Sequence, residues 1–121
     1  ATTTPTERGL RLVYQARDIL LADLRDPPDL SSLTRQVGTN HNKLTREFQQ
    51  HLGMSVYAYL REQRLVRAQT LLASDDLQIQ QIADQVGFKR VGDFGTAFKR
   101  RFGMTPREYR QSQSKPPIPL C

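Results

Sequence analysis

The sequence contains a single cysteine, Cys121 at its last position, and no tryptophan. One cysteine cannot form a disulfide within the chain, which is typical of proteins in a reducing compartment. No apolar run approaches the roughly 20 residues of a membrane span, so we expect no membrane partner and a cytoplasmic location. The two histidines, His41 and His51, have no cysteine near them and do not form a typical metal-ligand set. We therefore expect neither a metal nor a cofactor.

The residue groups that enzymes use for catalysis are also missing. We find no glycine-rich phosphate loop, no Cys/His pair and no cluster of carboxylates beside a base. The acidic residues are scattered, and Asp75-Asp76 has the character of a loop. The sequence therefore predicts a protein that is not an enzyme.

Positive charge is concentrated in the last third of the chain. Residues 1–86 contain ten Lys/Arg and ten Asp/Glu, whereas residues 87–121 contain eight and two, so the whole net charge of +6 lies there. An isoelectric point near 10 is typical of chains that bind nucleic acid, although it also suits an anionic membrane surface or a merely soluble protein.

Apolar residues recur at helical spacing, and no alternating strand pattern occurs, which predicts an all-α fold of seven helices. The first helix ends by the proline pair at 27–28, because proline disfavours helix in the residue before it. The second helix is capped by Ser31 or Ser32, and the third is capped by Asn40. The longest helix starts at Ser55 and runs to about residue 73. Thr105-Pro106 opens the last helix.

Two stretches of the chain, QQHLGMS (49–55) and RRFGMTP (100–106), are alike, and their surroundings match as well. Upstream, LTRQVG (33–38) corresponds to IADQVG (82–87). The offset is 49 residues before the turn and 50 after it. Each copy predicts a short helix, a turn opened by glycine and a second helix, which is the helix-turn-helix plan. Glycine permits the backbone conformation that such a turn needs.

The distance between the two copies fits the geometry of DNA. A helix over 55–73 is roughly 28 Å long at 1.5 Å per residue. With its flanking loops it spans on the order of 34 Å, one turn of the duplex. A single chain can then present two recognition helices to successive major grooves of double-stranded DNA.

The second copy, IQQIADQVGFKRVGDFGTAFKRRFGMTPREYR (79–110), resembles the signature of the AraC/XylS family of bacterial transcription regulators. The resemblance covers about residues 7–111. It implies an all-α, homeodomain-like fold with two helix-turn-helix subdomains joined by a long linker helix. It further implies sequence-specific binding to promoter DNA, transcription regulation, activation included, and contacts to RNA polymerase in the bacterial cytoplasm, at the nucleoid.

The resemblance also sets the expected domain organisation. Residues 1–6 are the remnant of a linker, and 7–111 form the DNA-binding domain. Within it, the first helix-turn-helix covers about 31–52, the linker helix 55–73 and the second helix-turn-helix 79–102. Residues 112–121 form a disordered tail. Family members usually carry a separate ligand-sensing and dimerising domain, so we expect the C-terminal fragment of a longer regulator, monomeric when isolated.

In the first copy, the outward face of the recognition helix carries the expected DNA contacts. Arginine binds guanine bidentately, and asparagine or glutamine does the same for adenine. The family's base-reading positions fall on Asn42, Thr45 and Arg46. We expect base contacts from Arg46 and Asn42, assisted by Gln49. The phosphate-facing residues are Lys43 and Gln50.

The second copy departs from the family pattern. When its turn is aligned with the family pattern, the base-reading positions fall on Val91, Gly92 and Thr96. Of these, only Thr96 has a hydrogen-bonding side chain. Basic residues surround them: Lys89, Arg90, Lys99, Arg100 and Arg101. We therefore expect the first unit to read sequence and the second to bind mainly the DNA backbone and read DNA shape, since phosphate contacts carry no sequence information.

Three alternatives remain open at this point. The first alternative is a stand-alone activator that consists of this domain only. The second is the DNA-binding module of a DNA-repair enzyme that transfers alkyl groups. The third alternative is an RNA-binding or protein-interaction bundle, although the chain lacks the aromatic display typical of single-stranded RNA binding.

Overall fold

The computed structural model describes residues 5–74 and 76–114, and these ranges contain seven α-helices and no strand. The all-α prediction is confirmed. None of the described helices is both long enough and apolar enough to cross a membrane. The helices are α1 (Pro5–Ala22), α2 (Leu30–Val37), α3 (His41–Leu52), α4 (Val56–Ser74), α5 (Ile79–Gln85), α6 (Val91–Phe102) and α7 (Pro106–Ser114).

The chain divides into two compact units between Gln63 and Arg64, within α4. In the first unit, α1 packs against both α2 and α3. Leu44, Phe48 and Leu52 recur every four residues along α3, and the first two are completely buried while Leu52 is partly buried. The buried residues of this core come from all four helices: Val13, Ala16, Leu20, Leu33, Leu44, Phe48 and Tyr59.

The second unit has its own apolar core. Phe98 of α6 is fully buried, and its ring contacts the rings of Phe94, Phe102 and Tyr109 at centroid distances of 5.7, 4.7 and 5.6 Å. Phe94, Phe98 and Phe102 recur every four residues along α6 and form its core face. The other buried residues of the core are Leu65, Ala68, Leu72, Ile82, Ala83 and Val86.

The internal repeat includes the helix that precedes each helix-turn-helix. Val13, Ala16 and Leu20 of α1 are buried in the first core, and Leu65, Ala68 and Leu72 of α4 are buried in the second with the same spacing. In each unit the helix-turn-helix thus packs on a leading helix. The leading helix supplies the apolar surface that a two-helix motif alone lacks.

The start of α2 differs from the prediction. Asp29, rather than Ser31 or Ser32, is the N-cap, and its Oδ1 accepts a hydrogen bond from the N–H of Ser32 at 2.8 Å. A carboxylate at this position also interacts favourably with the positive end of the helix dipole. The predicted cap of α3 is correct: Oδ1 of Asn40 accepts from the N–H of Lys43 at 2.9 Å.

Glycine opens both helix-turn-helix turns, as predicted, and each of these glycines has positive φ. The values are 75° for Gly38 and 101° for Gly87, in a region that side chains with a Cβ rarely occupy. This requirement explains why both copies of the repeat have glycine at this point.

The helices extend slightly beyond the predicted domain. α1 begins at Pro5, inside the predicted linker 1–6, because proline is favourable at the first helical position. α7 continues to Ser114, so residues 112–114 are helical instead of part of the predicted tail. The sequence reaches its next proline only at Pro116. Residues 1–4 and 115–121 of the two predicted end segments lie outside the described residues.

Candidate nucleic-acid interface

One face of α3 gathers polar side chains into a single surface. Five residues line an open depression of about 520 Å³: Asn42, Thr45, Arg46, Gln49 and Gln50. All five are exposed, while Lys43, at the edge of this surface, is half-buried. The structure therefore brings together the six residues that the sequence singled out in the first copy. We call them the α3 surface.

The position of this surface follows from the packing of α3. Leu44 and Phe48 lie one turn apart and are fully buried, so the opposite side of the helix faces solvent. The Asn40 cap fixes the first turn, where Asn42 and Lys43 lie. Helix termination at Gly53, whose φ is 71°, ends the surface after Gln50.

The α3 surface offers hydrogen-bonding groups and positive charge. Arg46 offers five N–H donors in a planar fork, and each amide of Asn42, Gln49 and Gln50 offers donors and an acceptor. The one acidic residue of α3, Glu47, is buried and does not contribute to the surface. The surface thus carries two positive charges and no negative charge.

The corresponding face of α6 is different in character. Val91, Gly92 and Thr96 are exposed, and Gly92 and Thr96 lie on the side of the helix away from the buried Phe94 and Phe98. An added Cβ at Gly92 would meet no atom within 4 Å. Thr96 and the exposed Asp93 are the hydrogen-bonding side chains here, so this part of α6 offers fewer such groups than the α3 surface.

Basic side chains lie at both ends of α6. Lys89 and Arg90 precede the helix and are exposed, as are Lys99 and Arg100 in its last turn. Arg101 lies with its guanidinium carbon 4.8 Å from the ring centre of Phe102, so its aromatic neighbour holds part of the side chain. The second unit therefore has exposed cations at both ends of a helix whose middle carries few hydrogen-bonding side chains.

Both histidines have partners within the first unit. Nε2 of His41 lies 3.3 Å from Oγ of Ser31, which connects the first turns of α2 and α3. Nε2 of His51 lies 3.1 Å from Oε2 of Glu47. From the sequence, Ser31 was expected only as a cap of α2, a role that Asp29 fills, and no role was expected for Glu47. Among the residues that the structure describes, no group of three His, Cys, Asp or Glu side chains is placed to hold a metal ion.

Comparison with known proteins identifies this architecture. A family model described as "Helix-turn-helix domain" matches residues 33–112. A transcriptional regulator from Chromobacterium violaceum with an AraC-type DNA-binding domain has a similar solved structure. Its TM-score is 0.84 at 30% identity, and the match covers 89% of this chain and 96% of that one. The chain belongs to the AraC/XylS family. The resemblance found in the sequence is confirmed, and the chain is an AraC-type DNA-binding domain.

Curated relatives of this AraC-type domain are longer proteins. The transcriptional activator RhaR of Yersinia pseudotuberculosis serotype O:1b is 41% identical over 114 residues, which is 94% of this chain and 38% of that protein. The transcriptional regulator GbdR of Pseudomonas aeruginosa is 34% identical over 95 residues, or 78% of this chain and 26% of that protein. The chain therefore spans about a quarter to two fifths of the length of these relatives, which are transcriptional regulators.

Proposed function

We propose that this AraC-type domain binds double-stranded promoter DNA and that the α3 surface reads the base sequence in a major groove. The observation that carries this proposal is the α3 surface itself: six polar side chains on one helix face, two of them cationic, with the one acid of the helix turned inward. A major groove admits a single α-helix and exposes base edges that such groups distinguish.

We assign the individual contacts from the chemistry of the side chains. Arg46 binds guanine O6 and N7, and Asn42 binds an adenine edge. Thr45 and Gln49 assist at neighbouring bases. The phosphate contacts come from Lys43 and Gln50, at the edges of the surface.

We propose a different role for the second unit. Val91, Gly92 and Thr96 face the bases, with Val91 against a thymine methyl group, and most of the affinity comes from phosphate contacts of Lys89, Arg90 and Arg100. The support is that α6 exposes fewer hydrogen-bonding side chains than the α3 surface, Thr96 and Asp93 among them, and that exposed cations lie at both ends of the helix. Such an interface fixes register on the duplex and responds to DNA shape rather than to base identity.

We further propose that the two recognition helices enter successive major grooves of one duplex. The support is the length of α4, 19 residues, which corresponds to roughly 28 Å, together with the repeat of the whole helix-turn-helix about 50 residues later. One turn of B-form DNA is about 34 Å.

The whole protein, in this proposal, is a bacterial cytoplasmic regulator that activates transcription. The support is the greater length of the relatives and the description of RhaR as an activator. The rest of the longer protein then senses a ligand and dimerises, and the bound domain contacts RNA polymerase. A stand-alone activator uses the same DNA contacts, so the test of the DNA interface applies to both alternatives.

The experiment is selection of bound sequences from random duplexes, followed by binding of the selected duplex to Arg46→Ala and Arg90→Ala. We expect Arg46→Ala to lose about 1–3 kcal/mol and to relax base preference at one position. We expect Arg90→Ala to weaken binding to every sequence alike and to reduce the salt slope by about 1. If Arg90→Ala relaxed base preference more than Arg46→Ala, the proposed division between a base-reading first unit and a backbone-binding second unit would be contradicted. Preference for an RNA competitor would contradict the duplex partner.

A further inference from the structure

A buried carboxylate lies behind the α3 surface. Glu47 is only 9% exposed. Its Oε2 lies 3.1 Å from Nε2 of His51, one turn further along α3, and the side chains of both residues are 12% exposed. A carboxylate at this distance accepts the ring N–H of the histidine. Moving this carboxylate costs its hydrogen bond and exposes a packed site.

The opposite wall of this site is Gly9 of α1. The residue is buried, and a Cβ added to it would overlap the Glu47 carboxylate. Its φ is not positive, so the backbone conformation does not require glycine. Glycine also lowers helix stability relative to alanine. A side chain at position 9 therefore displaces the Glu47 carboxylate from its place beside His51.

We propose that Gly9, Glu47 and His51 are positioning residues for base recognition, a proposal that rests on the proposed function of the α3 surface. The carboxylate of Glu47 acts as a spacer between α1 and α3, and His51 fixes its rotamer. Arg46 immediately precedes Glu47 on α3, so a shift of α3 away from α1 moves the guanidinium as well. Hydrogen bonds to base edges weaken steeply outside a narrow range of distance and angle.

The second unit has different residues at the matching positions. With the offset of 50 residues, Glu47 corresponds to Ala97 and His51 to Arg101. Ala97 is half-buried and Arg101 is exposed against Phe102. The spacer thus occurs in the unit to which we assign base reading, where the position of the helix matters most, and its residues are replaced in the unit to which we assign backbone contacts.

The experiment compares binding of the domain to its selected duplex and to a random duplex in the same salt. The variants are Gly9→Ala, Glu47→Ala and the double variant, with Gln15→Ala, an exposed change on α1, as the matched control. We expect Gly9→Ala to lower the ratio of selected to random affinity at least about fivefold, the loss of one bidentate base contact. Glu47→Ala leaves a void and lowers the ratio as well.

The double variant is the decisive one. Alanine at position 9 fills space that the shortened residue 47 leaves, so we expect the double variant to regain most of the ratio lost in either single variant, a non-additive result. Gln15→Ala retains the ratio, and the salt slope of binding is unchanged in all variants because no phosphate contact is altered.

Several outcomes would overturn this inference. A wild-type ratio in Gly9→Ala would do so, and so would an equal fall in selected and random affinity, which indicates only a smaller folded fraction. If Gly9→Ala does not fold, Glu47→Ala decides, since an unchanged ratio there refutes the spacer. Failure of the wild-type domain to select any duplex refutes the proposed function itself, whereas selection by the wild type with unaffected variants refutes the spacer alone.

Discussion

Replacement of one phenylalanine in each unit by leucine tests how the two cores are held together. Phe48 and Phe98 occupy matching positions of the repeat, and both are completely buried. Their aromatic surroundings differ. The ring of Phe48 contacts one other ring, that of Tyr59, at a centroid distance of 5.8 Å. The ring of Phe98 contacts three rings, with centroid distances of 5.7 Å to Phe94, 4.7 Å to Phe102 and 5.6 Å to Tyr109.

The expected difference follows from these contacts. Both substitutions remove similar buried apolar volume, so that cost is common to the two variants. An aromatic pair is worth about 0.5–1.5 kcal/mol beyond its buried area. Phe98→Leu loses two more such pairs than Phe48→Leu. We therefore expect Phe98→Leu to lower the free energy of unfolding of the second unit by about 1–3 kcal/mol more than Phe48→Leu lowers that of the first.

The assay is urea unfolding followed by NMR, with amide signals of each unit monitored separately. Phe102→Leu is the internal control, since this half-buried ring contacts one ring, Phe98, and we expect a smaller loss than for Phe98→Leu. Equal losses in Phe48→Leu and Phe98→Leu, or a larger loss in Phe48→Leu, would refute the reasoning that ring contacts stabilise the second core.

Three further substitutions have expected effects. Asn40→Ala removes the acceptor for the Lys43 N–H and should lower the unfolding free energy of the first unit by about 1 kcal/mol in urea titration. Hydrogen bonds from the backbone and side chain of Thr105 lower the pKa of Glu108 below its ordinary 4.5. This contribution to stability is therefore present above pH 4.5 and is lost as the pH falls through the lowered pKa. NMR titration of the α7 amides should show this loss, and in Glu108→Gln this pH dependence should be absent. Gly103→Ala places a Cβ at φ 79° and should destabilise the second unit by about 1–2 kcal/mol in thermal unfolding.

The helices could be predicted from the sequence because apolar spacing, glycine and proline agree at nearly every boundary. The N-cap of α2 could not, since Asp29, Ser31 and Ser32 are all good capping residues within four positions. The cap is the last residue with an extended backbone before the helix, and that residue is Asp29, with ψ of 170°. Local sequence does not decide between such neighbours.

The leading helices show a different limit. Alignment of the two Gly-Met pairs revealed the repeat of the helix-turn-helix. It did not reveal that Val13, Ala16 and Leu20 of α1 match three residues of α4. Their offset is 52 residues instead of 49 or 50, because the connecting loops differ in length. Core positions persist across such a shift since packing depends on the face of a helix and not on loop length.

Of the candidate interface, sequence reasoning predicted the outward face of α3 because its buried face is clearly apolar. The spacer was not predictable. A glutamate within a polar helix looks like a solvated residue, and only the packing of α1 shows that Glu47 lies against Gly9. Long-range packing between helices leaves no periodic signal in either segment.

The most direct test of the central claim is hydroxyl-radical footprinting of the domain on its selected duplex. We predict two protected regions on one side of the DNA, with centres about 10 base pairs apart. In Arg46→Ala, the region contacted by α3 should lose protection before the other region does. A single protected region, or two regions on opposite sides of the duplex, would contradict the account.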